Sequence, residues 1–165
     1  NLYDSAVIAP KPASRATLGG ARPTLAGEMA NVLFRTVRTN IVQSIRAFRV
    51  PELAAAATEL GHHFLYANCA AAQTRPEVLD AIASSFLMPK PCGKNYEALK
   101  TALTATIADA GEQFGFVIVL EGLPNAQKFD AEARETLLDV FRDAADYWAE
   151  RRVPFRVFFS FAQIA

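Results

Sequence analysis

The sequence predicts an α/β fold in which a small parallel sheet of three strands is packed with helices. Two strands are indicated by apolar runs, Phe116-Val-Ile-Val-Leu and Phe155-Arg-Val-Phe-Phe-Ser-Phe, since a strand that is apolar on both faces lies between two layers. Segments with helical periodicity separate the strands, and strands joined through helices pair in parallel with right-handed crossovers. The expected order is β-α-α-β-α-β, preceded by a helical or extended N-terminal extension.

Length and composition indicate an ordinary globular domain. The 165 residues are enough for one domain with a sizeable core, and 52% of them are hydrophobic and 21% charged. No apolar run approaches the roughly 20 residues of a membrane span, and residues 1–10 lack the order of a secretory signal. Cys69 and Cys92 are too few for a disulfide framework and have no metal-ligand spacing. We therefore expect a cytoplasmic protein that uses no metal or cofactor and contacts no membrane.

The net charge of zero conceals an asymmetry along the chain. Residues 1–49 carry seven basic and two acidic side chains, a net charge of +5, whereas the rest carries ten basic and fifteen acidic side chains, a net charge of −5. We divide the chain accordingly into an N-terminal arm with a possible helix and strand, residues 1–49, and a domain, residues 50–165. Either the two parts contact each other or they contact partners of opposite charge. The alternative is that both are solvated surfaces with no mutual contact.

The first half of the chain contains a weakly patterned part and a well-defined helix. Residues 1–27 are rich in Pro and Gly, which is typical of an extended arm. Apolar spacing allows a helix from about Thr24 to Val37, and Ile41–Phe48 alternates partly, like an edge strand. Pro51 fits the first turn of an Ala-rich helix that ends at Gly61.

A strand and a helix follow. Phe64-Leu-Tyr-Ala-Asn-Cys is predicted to be the first strand of the sheet. Thr74 and Glu77 form a capping box, in which each side chain satisfies a backbone N–H of the first helical turn. The apolar residues of this helix share one broad face: Val78, Leu79, Ile82, Phe86 and Leu87.

The stretch from Pro89 to Leu103 combines a stiff loop with the start of a helix. Pro89 and Pro91 fix φ and remove backbone donors, so the loop cannot join a sheet or a helix interior. Gly93 permits a turn with positive φ, and Asn95 is a good N-cap. Leu99, Leu103 and Ile107 recur at helical spacing and should face the core beside Tyr96. The opposite, exposed face is predicted to be polar: Glu97, Thr101 and Thr104.

The longest helix begins at Asp130 and is expected to reach about Arg152, where Pro154 stops it before the last strand. Its inner face is apolar: Leu137, Leu138, Phe141, Ala144, Ala145 and Trp148. Its outer face is acidic: Glu132, Glu135, Asp139, Asp143, Asp146 and Glu150. This outer face is either a solvated helix surface or a negative surface for a basic partner or for the protein's own basic arm.

Other residue patterns give little support to catalysis or metal binding. His62 and His63 are adjacent in a predicted strand and point to opposite faces, so they do not easily share one metal. Cys92 is either a reactive thiol near lysines or a half-buried loop thiol. The serines lack identifiable His and acid companions, and the chain has no P-loop or dinucleotide fingerprint. We expect no enzyme activity.

Three segments resemble the barstar family, the intracellular inhibitors of a secreted ribonuclease. They are Gly93-Lys-Asn95-Tyr-Glu-Ala-Leu99, the strand end Val119-Leu-Glu121, and Leu137-Leu-Asp-Val-Phe141-Arg-Asp143-Ala. The resemblance covers about residues 50–165. It implies a barstar-like fold and a protein that covers a nuclease active site with the loop and helix of residues 89–104, its carboxylates standing in for RNA phosphates. It also implies a set of partner-binding residues: Pro91, Cys92, Gly93, Asn95, Glu97, Lys100, Thr101 and Asp143.

The chain departs from the family at the centre of this surface. Thr101 stands where the family's type protein has the acid that fills the phosphate pocket, Lys100 stands where it has a tryptophan, and Pro91 and Cys92 replace an aromatic pair. A standard barnase-type active site should reject this surface, because like charges oppose each other across a dry interface. Two functions therefore remain open. One is inhibition of a ribonuclease without direct contact to nucleic acid; the other is a non-enzymatic interaction module with a different partner, possibly a homodimer formed through the basic arm.

Overall fold

The computed structural model of the chain describes residues 38–45, 48–86, 88 and 95–162. The predicted arm of residues 1–27 and the predicted helix from Thr24 to Val37 lie outside the described residues. In the described part, no helix is both long enough and apolar enough to cross a bilayer.

The described chain alternates between strands and helices. The strands are β1 (Ile41–Ser44), β2 (His63–Asn68), β3 (Phe116–Leu123) and β4 (Phe155–Phe161). Three of the helices are α1 (Val50–Leu60), α2 (Arg75–Ser85) and α4 (Ala131–Glu150). Helix α3 is continuous over residues 96–109 and consists of an α-helical piece (Tyr96–Thr101), a π-helical turn (Ala102–Thr106) and a final α-helical piece (Ile107–Asp109).

The sheet is parallel throughout, as predicted, but it has four strands rather than three. Its order is β1-β4-β3-β2. The additional strand β1 pairs with β4, with Ile41 opposite Arg156 and Ser44 opposite Phe159. The sequence indicates this segment, Ile41–Phe48, only as a possible edge strand outside the predicted three-stranded sheet. A four-residue strand with two polar residues has too weak a pattern to reveal its partner, whereas in the fold it covers the outer edge of β4.

Helices cover both faces of the sheet. On one face, α2, α3 and α4 pack over a large core that includes Phe116, Ile118 and Leu120. On the other face, α1 packs over Val117 and Val119 of the same strand. Residues 116–120 are all fully buried, which confirms the prediction that this strand lies between two layers.

Most of the predicted helix ends are confirmed. Helix α1 has Pro51 in its first turn and ends at Gly61, whose φ of 74° lets its N–H reach the carbonyls of Ala57 and Thr58. Asp130 caps α4 by accepting a hydrogen bond from the Ala133 N–H at 3.0 Å. Helix α4 ends at Glu150, two residues before the predicted end, and its six predicted inner residues are all buried.

The capping box of α2 differs in part from the prediction. Thr74 accepts the Glu77 N–H at 3.3 Å, as expected. The Glu77 carboxylate, however, accepts the N–H of Gln73 and the hydroxyl of Thr74. The return bond therefore goes to the residue before the cap, and it still satisfies a backbone donor at the helix entrance.

The two histidines lie inside the fold at the start of the sheet. His62 is 6% and His63 4% exposed, and the His63 ring lies 5.5 Å from that of Phe116. Gly115, at φ +151°, passes so close to His62 that a Cβ atom there would lie 2.5 Å from the imidazole ring. Only glycine allows this approach, which brings the end of the α3–β3 connection against β2.

Candidate functional site

The candidate site is built on the first turns of α3. Asn95 adopts extended backbone angles, and its side-chain Oδ1 accepts the Ala98 N–H at 2.7 Å. This bond satisfies one of the free donors at the start of the helix and fixes where the helix begins. The predicted N-cap is therefore confirmed. The preceding loop, with Pro91, Cys92 and Gly93, lies outside the described residues.

Two of the predicted partner-binding residues lie on the solvent side of α3. Glu97 and Thr101 are both exposed, whereas Leu99 and Leu103 are fully buried. The predicted separation of a polar and an apolar face is thus confirmed for the first turns of the helix. Glu97 also carries a negative charge in the first turn, where the helix dipole favours it.

The prediction that Thr104 is exposed was wrong. Thr104 is only 7% exposed, and its hydroxyl donates to the Lys100 carbonyl at 2.8 Å. It lies in the π-helical turn, which has more residues per turn than an α-helix and therefore rotates the following positions around the axis. The next exposed positions after Thr101 are Ala105 and Asp109.

An ion pair joins α3 to α4 at this surface. The Lys100 Nζ lies 3.6 Å from the Asp143 Oδ2, and their side chains are 44% and 55% exposed. Two predicted partner-binding residues that are far apart in sequence are thus brought together. The contact gives the surface a local plus–minus pair instead of the purely acidic character that the resemblance implies.

The buried side of α3 is fixed to α4 by a tryptophan. The Trp148 indole N–H donates to the Leu103 carbonyl, in the π-helical turn, at 2.8 Å. Trp148 is 2% exposed, and its ring lies 5.3 Å from that of Phe116. This contact sets the position of α3 relative to α4 and therefore the distance between Lys100 and Asp143.

Sequence reasoning missed Arg75 as a neighbour of the site. Its guanidinium lies 5.5 Å from the centre of the Tyr96 ring at the start of α3. The two residues line a groove of about 240 Å³ that also includes Asp130 and Thr136. Burial raises the pKa of the Tyr96 hydroxyl, and the charge of Arg75 opposes that shift. No motif in the sequence indicates that the starts of α2, α3 and α4 meet here.

The acidic outer face of α4 is confirmed, but it is partly neutralised by its own arginine. The Arg142 Nη1 donates to Glu135 at 2.8 Å and to Asp139 at 2.7 Å. The hydrogen bond that Arg142 donates to Asp139 is the main cause that raises the pKa of Arg142. Asp143 is ion-paired with Lys100, whereas Arg142 is directed at Glu135 and Asp139 in the preceding turns of α4.

A second polar cluster lies at the carboxyl ends of the strands. The Tyr66 hydroxyl donates a short hydrogen bond to Glu121, and the Ser160 hydroxyl accepts the Gly122 N–H at 3.1 Å. Glu121, Gly122 and Ser160 border a groove of about 410 Å³. The nearby Cys69 is fully buried, and burial raises the pKa of its thiol to about 11. In the described ranges, no three His, Cys, Asp or Glu side chains are grouped so that they could hold a metal ion.

We expect Tyr66 to ionise at about pH 12 instead of its ordinary 10, chiefly because it donates to Glu121. The folded state holds the neutral phenol, so its contribution to stability is complete below about pH 10 and is lost as the pH rises through about 12. The difference in tyrosinate absorbance between the wild type and Tyr66→Phe measures this pKa. In Glu121→Gln it should move back towards the ordinary value; an ordinary pKa in the wild type would contradict the hydrogen bond.

The model of the family described as "Barstar (barnase inhibitor)" matches residues 62–160, more than half of the chain. This range includes β2, β3, helix α3, Asp143 and all of β4 except its last residue, Phe161.

Two further comparisons add no function. No curated protein is significantly similar to the chain in sequence. Among solved structures, the chain is similar to the ORC2 protein of Aeropyrum pernix, solved as ADPNP–ADP complexes, with 17% identity and a TM-score of 0.47. The alignment covers 98% of this chain but only 44% of that protein's chain. Likeness at this level carries no argument about function.

Proposed function

The chain belongs to the barstar family, and from that premise we propose that it binds a ribonuclease and inhibits it by covering its active site. The covering surface would be the loop and helix of residues 89–104 together with Asp143. The observation that carries the proposal is that this surface falls inside the region matched by the family model and that Glu97 and Thr101, in its described helical part, are exposed.

The geometry of α3 suits a role in binding without catalysis. The helix begins at a capped residue and is fixed from below by Trp148, so its exposed face needs little reordering on binding. Glu97 and Asp143 supply carboxylates that could meet basic groups of a ribonuclease. We propose that the protein acts as an inhibitor and not as an enzyme.

The test is an inhibition assay with a panel of small secreted ribonucleases that includes barnase. We expect at least one of them to lose its activity at an equimolar amount of this protein. Thr101→Arg should weaken that inhibition by at least about tenfold, because a bulky charge at the centre of a packed interface prevents close contact. Thr58→Arg on α1 is the matched control, since Thr58 is exposed and α1 lies on the other face of the sheet.

Two results would contradict the proposal. One is a panel in which no ribonuclease is inhibited by an excess of the protein. The other is equal inhibition by Thr101→Arg and by Thr58→Arg, which would place the interface elsewhere on the molecule.

A second candidate function is an interaction module that kept the fold and changed its partner. The Lys100–Asp143 ion pair favours it, because the pair neutralises one carboxylate of the proposed surface. The basic residues 1–49 of one copy could then bind the acidic residues 50–165 of a second copy. A protein that inhibits no ribonuclease but has the mass of a dimer in solution would support this function over the first.

A further inference from the structure

Lys100 is the one basic residue in the sequence of α3, residues 96–109. Its ammonium lies between the exposed face of α3 and the acidic face of α4, at 3.6 Å from Asp143. Both side chains are about half exposed, and an ion pair of that kind contributes little to stability. Lys100 and Asp143 can therefore separate, and each can bind a charged group of a partner protein, at little cost in free energy.

The two arginines of α4 contact groups away from this position. Arg142 is held by Glu135 and Asp139. Arg134 donates instead to the carbonyls of Pro124 and Phe129 and to Asn125, in the β3–α4 connection. Among the described cations of α3 and α4, Lys100 is thus the one that is ion-paired with a residue of the proposed surface, Asp143.

A partner with a wholly basic surface would meet an unfavourable charge at Lys100. When the interface closes, water that screens the ammonium is removed, and like charges then oppose each other at short range. A partner with an acidic side chain opposite Lys100 would replace this repulsion with an ion pair. Asp143, released from Lys100, could then accept a basic group from the same partner.

We propose that the ribonuclease bound by this protein presents an acidic side chain to Lys100, flanked by basic side chains that meet Glu97 and Asp143. Lys100 is then a specificity-determining residue, which rejects ribonucleases with a uniformly basic active-site surface. This inference rests on the proposed inhibitor function and deepens it, since it states the charge pattern of the partner.

The test uses barnase as the probe, both unmodified and as a set of variants in which each basic residue of its active-site surface is changed in turn to Glu. Dissociation constants are measured against the wild type, Lys100→Met and, as matched control, Lys128→Met, an exposed lysine in the turn before α4. Lys100→Met keeps most of the length of the side chain and removes its charge. Both substitutions are on the surface, so thermal unfolding should change little.

We expect at least one Glu variant of barnase to bind the wild type at least about tenfold more tightly than unmodified barnase. The gain should disappear with Lys100→Met and persist with Lys128→Met, because the new ion pair needs the ammonium of Lys100. Two results would overturn the inference: an equal gain in affinity for Lys100→Met and the wild type, or no gain in affinity for any Glu variant of barnase. In either case, measurable binding of barnase leaves the inhibitor function standing. Failure of every barnase form to bind the wild type would overturn this inference, whereas the inhibitor function is overturned only if no ribonuclease of the panel is inhibited.

Discussion

Changing Lys100 to Trp and Thr101 to Asp in the same chain is expected to raise its affinity for unmodified barnase by at least about 100-fold, which corresponds to about 2.7 kcal/mol. The resemblance implies that basic groups line the active site of such a ribonuclease. The double variant removes the opposing ammonium, releases Asp143 from its ion pair, and adds a carboxylate at the exposed position 101. The new tryptophan adds apolar contact area, and large aromatic side chains are among the strongest contributors to interfaces.

The two single variants are the controls for this prediction. Because positions 100 and 101 are neighbours in one interface, the double variant should gain more than either single variant alone. Binding is measured by calorimetric titration, with the Thr58→Arg protein as a control for changes away from the site. Equal binding of barnase by the wild type and by the double variant would show that this face of α3 is not the interface.

Trp148→Ala is expected to lower the free energy of unfolding by about 3–5 kcal/mol, the usual cost of truncating a large buried aromatic residue. Trp148 is 2% exposed and contacts Phe116 below it and Tyr147 beside it, with ring distances of 5.3 and 5.2 Å. Its removal also leaves the Leu103 carbonyl without its indole donor. Urea unfolding followed by circular dichroism measures the change.

Trp148→Phe separates the packing of this residue from its hydrogen bond. The phenyl ring keeps much of the apolar contact but cannot donate to Leu103, so the expected loss is smaller, about 1–3 kcal/mol. A loss below about 1 kcal/mol for Trp148→Ala would contradict the role of this residue in fixing α3 on α4. If Trp148→Phe costs as much as Trp148→Ala, the indole N–H and not the packing is the dominant contribution.

The regular elements of the barstar-like region were predictable because their signals are local or periodic. The run from Phe116 to Leu120 has no polar residue, so its burial on both faces follows from its composition. Asn95 and Asp130 are strong N-caps that satisfy donors within three residues, so the starts of α3 and α4 could be predicted without knowledge of the fold. The edge strand β1 was harder to predict, because it is stabilised by pairing with the backbone of β4, more than 100 residues away in the sequence.

The exposed face of the first turns of α3 was predicted, but the ion pair that lies on this surface was not. Glu97 and Thr101 are exposed as helical spacing requires, and this spacing holds until the π-helical turn. In that turn the indole N–H of Trp148 donates to the carbonyl of Leu103. The changed rotation of the helix places Thr104 in the core. A regular α-helical period cannot indicate such a turn, because the side chain that bonds to it comes from another helix.

The sequence by itself determined the parallel α/β architecture, the start and polar face of α3, and membership of the barstar family, because these depend on apolar periodicity, caps and motif residues that are close together in the chain. The tertiary structure alone decided that β1 completes the sheet, that Thr104 is buried, and that Lys100 lies 3.6 Å from Asp143. These outcomes depend on groups that are distant in sequence and become neighbours only when α4 packs beside α3. The charge that a ribonuclease would meet on this surface is therefore a property of the packed helices and not of either segment alone.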